Sequence, residues 1–295
     1  MIETEVAHFW GFVVERDLVW QRREAGYPPP WTNDPFIGKF WFTNVHRDRD
    51  VGTRWIVDRV TSQPPPTIVD VLFQLVCYRS LNRLSTYVAC DLPLSSSRGH
   101  FDQWYERVDE LAKHGAVGSA KHYTSMRRLP MVMESWETHG DKVTEQVWGA
   151  QDGVEAVGYL VDLKGLGPFT SLQVVADFVE LPWHGAHMTR ETLIPLAVGS
   201  RLALHLLMTG EYLLDTNTHE TGNGRKARGA SGLLPDQREF LTWLRLTQPP
   251  TLSKPLTYVD IEHSLCEWNK YRRHCAGDPP QAQSAIKYPF EKVSA

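Results

Sequence analysis

The sequence predicts an all-α protein organised around a helix-hairpin-helix. Three observations carry that expectation. Apolar residues recur at three- and four-residue spacing along most of the 295 residues, and no alternation of strands with helices interrupts them. Proline and glycine punctuate the chain at helix-length intervals, as at Gly26, Pro28 to Pro30, Pro64 to Pro66 and Gly115. Finally, Leu163-Lys164-Gly165-Leu166-Gly167-Pro168-Phe169 separates two apolar runs. The two glycines permit a tight reversal, and the second helix begins with free N–H groups that can meet an anion.

The elements follow in order. Val6, Phe9, Trp10, Val13 and Val14 share one helical face and predict a helix from Glu3 to Glu24. Trp31 to Asn44 reads as irregular, and Arg47 to Val60 resumes a helical period. Thr67 can cap a helix from Ile68 to Cys90, with Asp70 completing a capping box. Ser97 can cap Phe101 to His114, which Gly115 stops. Further helices are expected at Gly140 to Trp148, Gly153 to Leu163, Pro168 to Leu181, Pro195 to Met208, Pro235 to Thr247 and Thr257 to His274. The expected organisation is a single helical domain over 1–295, with the helix-hairpin-helix at about 153–181. A mobile basic loop is expected at 215–232, where apolar anchors are missing, and an extended tail at 277–295.

Composition narrows the function classes. The net charge is −4, so any nucleic-acid contact must come from local basic patches. Candidates are Arg22-Arg23, Arg47 to Arg59, Arg127-Arg128, Arg225 to Arg228 and Lys270 to Arg273. Such scattered charge is more often just a solvated face. The spacing of Cys77, Cys90, Cys266 and Cys275 fits neither a zinc site nor a cluster, which suggests reduced thiols in a cytoplasmic protein. The N-terminus lacks a signal core, and no apolar run reaches the roughly 20 residues of a membrane span. His184 and His187 are close, but no cysteine or carboxylate completes a metal-ligand spacing. No metal and no cofactor are expected. No phosphate-binding Walker loop occurs in these residues.

Three constellations could carry chemistry. The first interleaves aromatic residues with Asn, Arg and Asp between Trp20 and Trp55. Trp20 and Trp31 could stack on a nucleobase, while Asn44, Arg47, Asp50 and Arg54 read its edge. Structural caps and ion pairs would use the same residue types. The second is Tyr78-Arg79-Ser80-Leu81-Asn82-Arg83, in which Arg79 and Asn82 either meet carboxylates or face a base. The third is Asp260 to Tyr271, where Glu262 or Lys270 could pair with the Arg79 helix. Backbone-phosphate contacts are expected from Lys164, Gly165, Gly167 and Phe169 at the hairpin, from Arg225, Lys226 and Arg228 in the loop, and from Lys270. Asp177, alone in the apolar run Val174 to Val179, is either a catalytic carboxylate or the partner of an arginine such as Arg79. Asp177 is favoured as the catalytic group over Glu191.

At these residues the chain resembles a known family. The matching strings are Trp20-x-Arg22-Arg23, Pro30-Trp31-Thr32-x-Asp34-Pro35 and Phe42-Thr43-Asn44-Val45-His46-Arg47. Tyr78-Arg79-x-Leu81-Asn82-Arg83, Gly165-Leu166-Gly167-Pro168-Phe169 with Asp177, and Asp260-Ile261-Glu262-x-x-Leu265-Cys266-Glu267-x-x-Lys270-Tyr271 complete it. The resemblance is to the alpha-glutamyl/putrescinyl thymine pyrophosphorylase group, which includes the helical domain of 5-hydroxymethyluracil DNA kinases. It implies a fold like that of the helix-hairpin-helix DNA glycosylases and double-stranded DNA carrying modified bases as partner. It further implies a DNA glycosylase that flips out and excises a bulky modified base, such as glucosylated hydroxymethylcytosine or a hypermodified thymine, from phage DNA in antiviral defence. Two alternatives stay open: a transferase replacing pyrophosphate on hydroxymethyluracil with an amino acid or polyamine, and a non-catalytic DNA-binding partner of a kinase. The chain departs from the pattern twice. Where hairpin glycosylases carry their catalytic Asp it has His187, flanked by Asp177 and Glu191. Where relatives commonly carry Gly-Pro-Gly-Ala it has Leu196-Ala197-Val198-Gly199-Ser200-Arg201.

Overall fold

The computed structural model describes residues 2–65, 67–115, 126–182, 187–212 and 233–277. Among these residues it contains helices and no strand, so the fold is all-α. The α-helices are α1 (Ile2–Glu24), α2 (Val51–Ser62), α3 (Ile68–Leu81), α4 (Leu84–Cys90), α5 (Arg98–Lys113), α6 (Leu129–Gly149), α7 (Gly153–Leu160), α8 (Pro168–Phe178), α9 (Val198–Thr209), α10 (Pro235–Leu246) and α11 (Tyr258–Cys275). Two short 3-10 turns lie at Arg47–Arg49 and Met126–Arg128. The expected basic loop, with Arg225, Lys226 and Arg228, lies outside the described residues, as does the expected tail from 278 onward. No helix among the described residues is long and apolar enough to cross a membrane.

The chain falls into two compact units. One comprises Met1–Asp50, Leu196–His219 and Leu234–Ala295; the other comprises Val51–Pro195 and Glu220–Leu233. We call them the terminal unit and the central unit.

In the central unit α3 is apolar on every side and buried from Asp70 to Leu81, as a helix surrounded by others must be. Thr67 starts it by accepting the Asp70 N–H. The expected single helix over 68–90 is divided: Asn82 takes φ +48° and ends α3. Asparagine tolerates this left-handed conformation because its short side chain bonds locally, here to the Arg79 guanidinium. Phe73, Phe101 and Trp136 pack their rings together, and Trp55, Tyr78 and Tyr87 form a second aromatic cluster. The helix expected from Gly140 starts earlier, at Leu129, with Pro130 in its first turn, where a missing N–H costs nothing. Gly140 thus lies inside α6, and a Cβ there would come within 2.6 Å of the Trp136 indole. Glycine makes room for the ring.

The hairpin joins α7 to α8. Asp152 caps α7 by accepting the Glu155 N–H. The two hairpin glycines do different work. Gly165 sits at φ +92°, and a Cβ there would lie 2.7 Å from Cγ2 of Val132 on α6. Gly167, the N-cap of α8, has extended backbone and open space around it. The Lys164 N–H donates to Ser135 Oγ at 3.0 Å and ties the turn to α6.

In the terminal unit α11 packs against α9, α1 and α10. Thr257 and Asp260 form a reciprocal capping box at its start. The core holds Phe9, Val13, Leu204, Leu207, Leu265 and Trp268, with the Trp268 ring edge-on to Phe9. Gly199 in the first turn of α9 would put a Cβ 2.9 Å from Cys266 Sγ. Glycine here allows α9 and α11 to approach closely.

The two hairpin glycines therefore separate in a stability assay. Gly165→Val meets both a left-handed backbone and Val132, and should lower unfolding free energy by about 2 kcal/mol or more. Gly167→Ala should leave it within about 0.5 kcal/mol. Equal urea midpoints for the two variants would contradict this division.

Candidate active site

In the central unit the expected residues Arg79, Asn82 and Asp177 converge. Asp177 is 0 % and Arg79 2 % exposed. Arg79 Nε donates to Asp177 Oδ2, and Nη2 donates to Oδ1 at 2.6 Å. Arg79 Nη2 also donates to Thr53 Oγ1 at 2.9 Å, and that hydroxyl donates to Asp177 Oδ1 at 3.1 Å. Arg79 Nη1 donates to Asn82 Oδ1. One fork of guanidinium bonds thus ties α2, the end of α3 and α8 together. A buried carboxylate needs this kind of partner, and Asp177 has the arginine that the sequence offered as one of its two readings. Arg54, also from α2, is exposed.

The hairpin residues lie at the surface of the same unit. Lys164 and Gly167 are exposed, Gly165 half-buried, and Phe169 is 37 % exposed. Glu191 is exposed, its N–H donating to Thr189 Oγ1 at 3.2 Å. His187 is exposed as well.

In the terminal unit the remaining base-binding candidates gather around the turn Arg47–Arg49. Trp20 lies under the Arg49 guanidinium, 3.6 Å from ring centroid to Cζ. Asn44 donates from its amide to the Arg49 carbonyl at 2.9 Å. Arg47 is buried, and its N–H donates to Asp260 Oδ1 at 2.6 Å. Asp50 follows the turn, its N–H donating to the Arg47 carbonyl at 2.9 Å. Trp31 stands apart. Its indole N–H donates to the Tyr27 carbonyl at 2.7 Å, and with Arg22, Thr32, Asn33 and Asp34 it lines a cavity of about 470 Å3. Lys270 donates to the Trp41 carbonyl and lies over the Trp41 and Phe42 rings.

The same unit holds a group that the sequence pointed to only as a string. Glu262, His263, Cys266, Glu267 and Lys270 share one side of α11 at three- and four-residue spacing. Glu262 is 5 % exposed. Its Oε1 accepts from Ser200 Oγ at 2.7 Å and from the Ala197 N–H at 3.1 Å, both at the start of α9. Thr43 bonds to His263 Nε2 through its hydroxyl, and its N–H donates to Glu267 Oε2 at 3.1 Å. Glu262 pairs with α9, not with the Arg79 helix, which already holds Asp177.

The electrostatics distinguish these acids. Burial pushes the Glu262 carboxyl above the ordinary glutamate range; the Ser200 and Ala197 bonds and the Arg47 charge oppose this without overcoming it. Burial also works against ionisation of Asp260, but the nearby His46 ring and bonds from the Thr257 and Arg47 N–H groups prevail and hold it low. Asp17 is low for the same reason, through Ser253 and Arg49. Burial and the Arg47 charge hold the half-buried His263 below the usual imidazole value, against Glu267, Asp50 and Asp260. Burial, with Glu262 and Glu267 nearby, pushes the Cys266 thiol up, so it is a poor nucleophile. The arrangement presents one carboxyl, Glu262, whose burial favours the protonated form, which suits a group that must give up a proton. Among the described residues no group of His, Cys, Asp and Glu is placed to hold a metal ion.

The sequence signal for Glu262 was its place in the string Asp260 to Tyr271, where it was expected to pair with the Arg79 helix. Its partners Ser200 and Ala197 lie some sixty residues away, beyond the reach of spacing arguments.

The Arg79–Asp177 pair predicts a stability effect. Asp177→Asn leaves Arg79 buried without its counter-charge and should cost about 3–5 kcal/mol in urea unfolding. Arg79→Met combined with Asp177→Leu should recover most of that loss. An Asp177→Asn midpoint equal to the parent's would show that the pair is not structural.

The sequence places the chain among relatives. The family model described as 5-hmdU DNA kinase, helical domain, matches residues 3–280. No curated protein and no solved structure matches significantly. The match spans nearly the whole sequence, and the chain belongs to the family of 5-hmdU DNA kinase helical domains.

Proposed function

We propose that this protein is a DNA glycosylase acting on a modified pyrimidine, of the kind found in phage DNA, and that it serves in antiviral defence. The family supports DNA with modified bases as the substrate class. The observation that carries the reaction is Glu262: a buried carboxyl, bonded by neutral donors and inclined to keep its proton.

A pyrimidine leaving C1′ of its sugar departs with the electron pair of the glycosidic bond. A proton delivered to the base as that bond breaks lowers the barrier. In this reading Glu262 delivers it. Water then adds to C1′ and returns a proton to the carboxylate. Arg47, buried beside this group, stabilises the negative charge that builds on the base. Trp20, Asn44 and Asp50 belong to the base-holding side of the terminal unit. Asp177 has another role here: with Arg79 it fixes α2, α3 and α8, and so positions the DNA-binding hairpin. Lys164 and the N-terminus of α8 at Gly167 meet the phosphate backbone.

The direct test incubates the purified protein with modified phage DNA and with unmodified DNA. Abasic sites and free modified base should appear only with the former. A mass gain on the base without abasic sites would replace hydrolysis by group transfer.

The pH profile tests the acid. Glu262 holds its proton below its raised pKa and loses it above. Base release should therefore fall as pH rises through a value above the ordinary glutamate value of about 4.3. Glu262→Gln should lower the rate by about 10²–10⁴-fold and remove that limb. An unchanged rate in folded Glu262→Gln would transfer the chemistry to another group.

A further inference from the structure

We infer that Arg127 and Arg128, at the start of α6, extend the hairpin into a wider phosphate-binding surface on the central unit. This rests on the DNA-acting reading above and adds to it an element that neither the hairpin sequence nor the family match designates.

Three observations place the two arginines there. A Cβ on Gly165 would come 3.5 Å from the Arg128 carbonyl oxygen and 2.7 Å from Val132 Cγ2. The Lys164 N–H is bonded to Ser135 Oγ. The hairpin turn thus rests on the first two turns of α6. Arg127 and Arg128 precede Leu129, the first residue of that helix, and both are exposed.

Among the described residues neither Arg127, Arg128 nor Lys164 forms an ion pair, although Asp162 is exposed two residues before Lys164. Many other cations of the chain are engaged: Arg49 with Asp17, Arg59 with Asp91, Arg98 with Asp102 and Glu137, Lys254 with Asp48, Arg272 with Glu5. The starts of α6 and α8 both lie beside Gly165, so two helix N-termini add positive potential to the three cations. In a chain of net charge −4, such a concentration fits a polyanion. Arginine suits phosphate, with its planar fork of donors. Met131 and Phe169, 40 % and 37 % exposed, give the same neighbourhood an apolar edge. Lys164 with the α8 amides can take one phosphate of a strand, and Arg127-Arg128 a neighbouring one.

The experiment measures the affinity of the full chain for an unmodified duplex against salt concentration. Arg127→Ala with Arg128→Ala should reduce the slope of log affinity on log salt by about 2, one contact per arginine. Binding should weaken equally for modified and unmodified DNA, with turnover at saturating DNA unchanged. Arg127→Lys with Arg128→Lys should restore most of the slope. A parental slope in the double alanine variant, with Lys164→Ala reducing it, would overturn the extension and leave the hairpin reading intact. Parental binding in both variants would overturn both.

Discussion

The cost of burying charge organises this molecule. Each buried carboxyl must find either a cation or enough donors to offset the loss of water. Asp177 takes a forked arginine and a hydroxyl. Asp17 takes Arg49 and Ser253, Glu180 takes Arg190, and Asp260 takes His46 with two backbone amides. Asp70 takes three neutral donors from Thr67 and Ser96. Glu262 has only two neutral donors on one oxygen, and burial prevails there. The acids that build the fold are thus held ionised or locked in pairs, and the acid that departs from this rule can exchange a proton.

The same logic assigns different work to the two units. In the central unit the Arg79 fork links three helices through side chains 53, 79, 82 and 177. Neither apolar packing nor helix propensity would fix their rotation so narrowly, because a guanidinium accepts its partners only in its own plane. In the terminal unit the α11 acids meet the start of α9 and the loop around Thr43. A carboxyl at a helix N-terminus normally gains from the dipole. That Glu262 is nevertheless pushed toward its neutral form shows how strongly desolvation acts at this position.

Much of the architecture was legible in the sequence because it rests on local signals. The 3.6-residue periodicity of α1, the Thr67 cap of α3 and the Gly165-Leu166-Gly167 turn are all short-range features. The errors lie where a tertiary contact overrode the local pattern. Asn82 breaks a continuous apolar helix because its side chain joins the Arg79 network. Leu129 to His139 are helical although the pattern there is weak, since Leu129, Val132, Met133 and Trp136 are all buried. The candidate site was legible as residue types and not as partnerships. A carboxylate in an apolar run announces that it must be satisfied, but not by what. For Asp177 and Glu262 alike only the distant partners, Arg79 for one and Ser200 for the other, show how the carboxyl is satisfied.

The protonation of Glu262 carries the proposed reaction. Carbon-13 labelling of the glutamate carboxyls, with assignment by Glu262→Gln, allows this one group to be titrated by NMR in the folded protein. The expected midpoint lies above the ordinary glutamate value of about 4.3, with the proton still bound where the exposed glutamates have lost theirs. A midpoint at or below that value would mean that Glu262 is an ordinary anion at the start of α9, and would remove the proton donor from the proposed reaction.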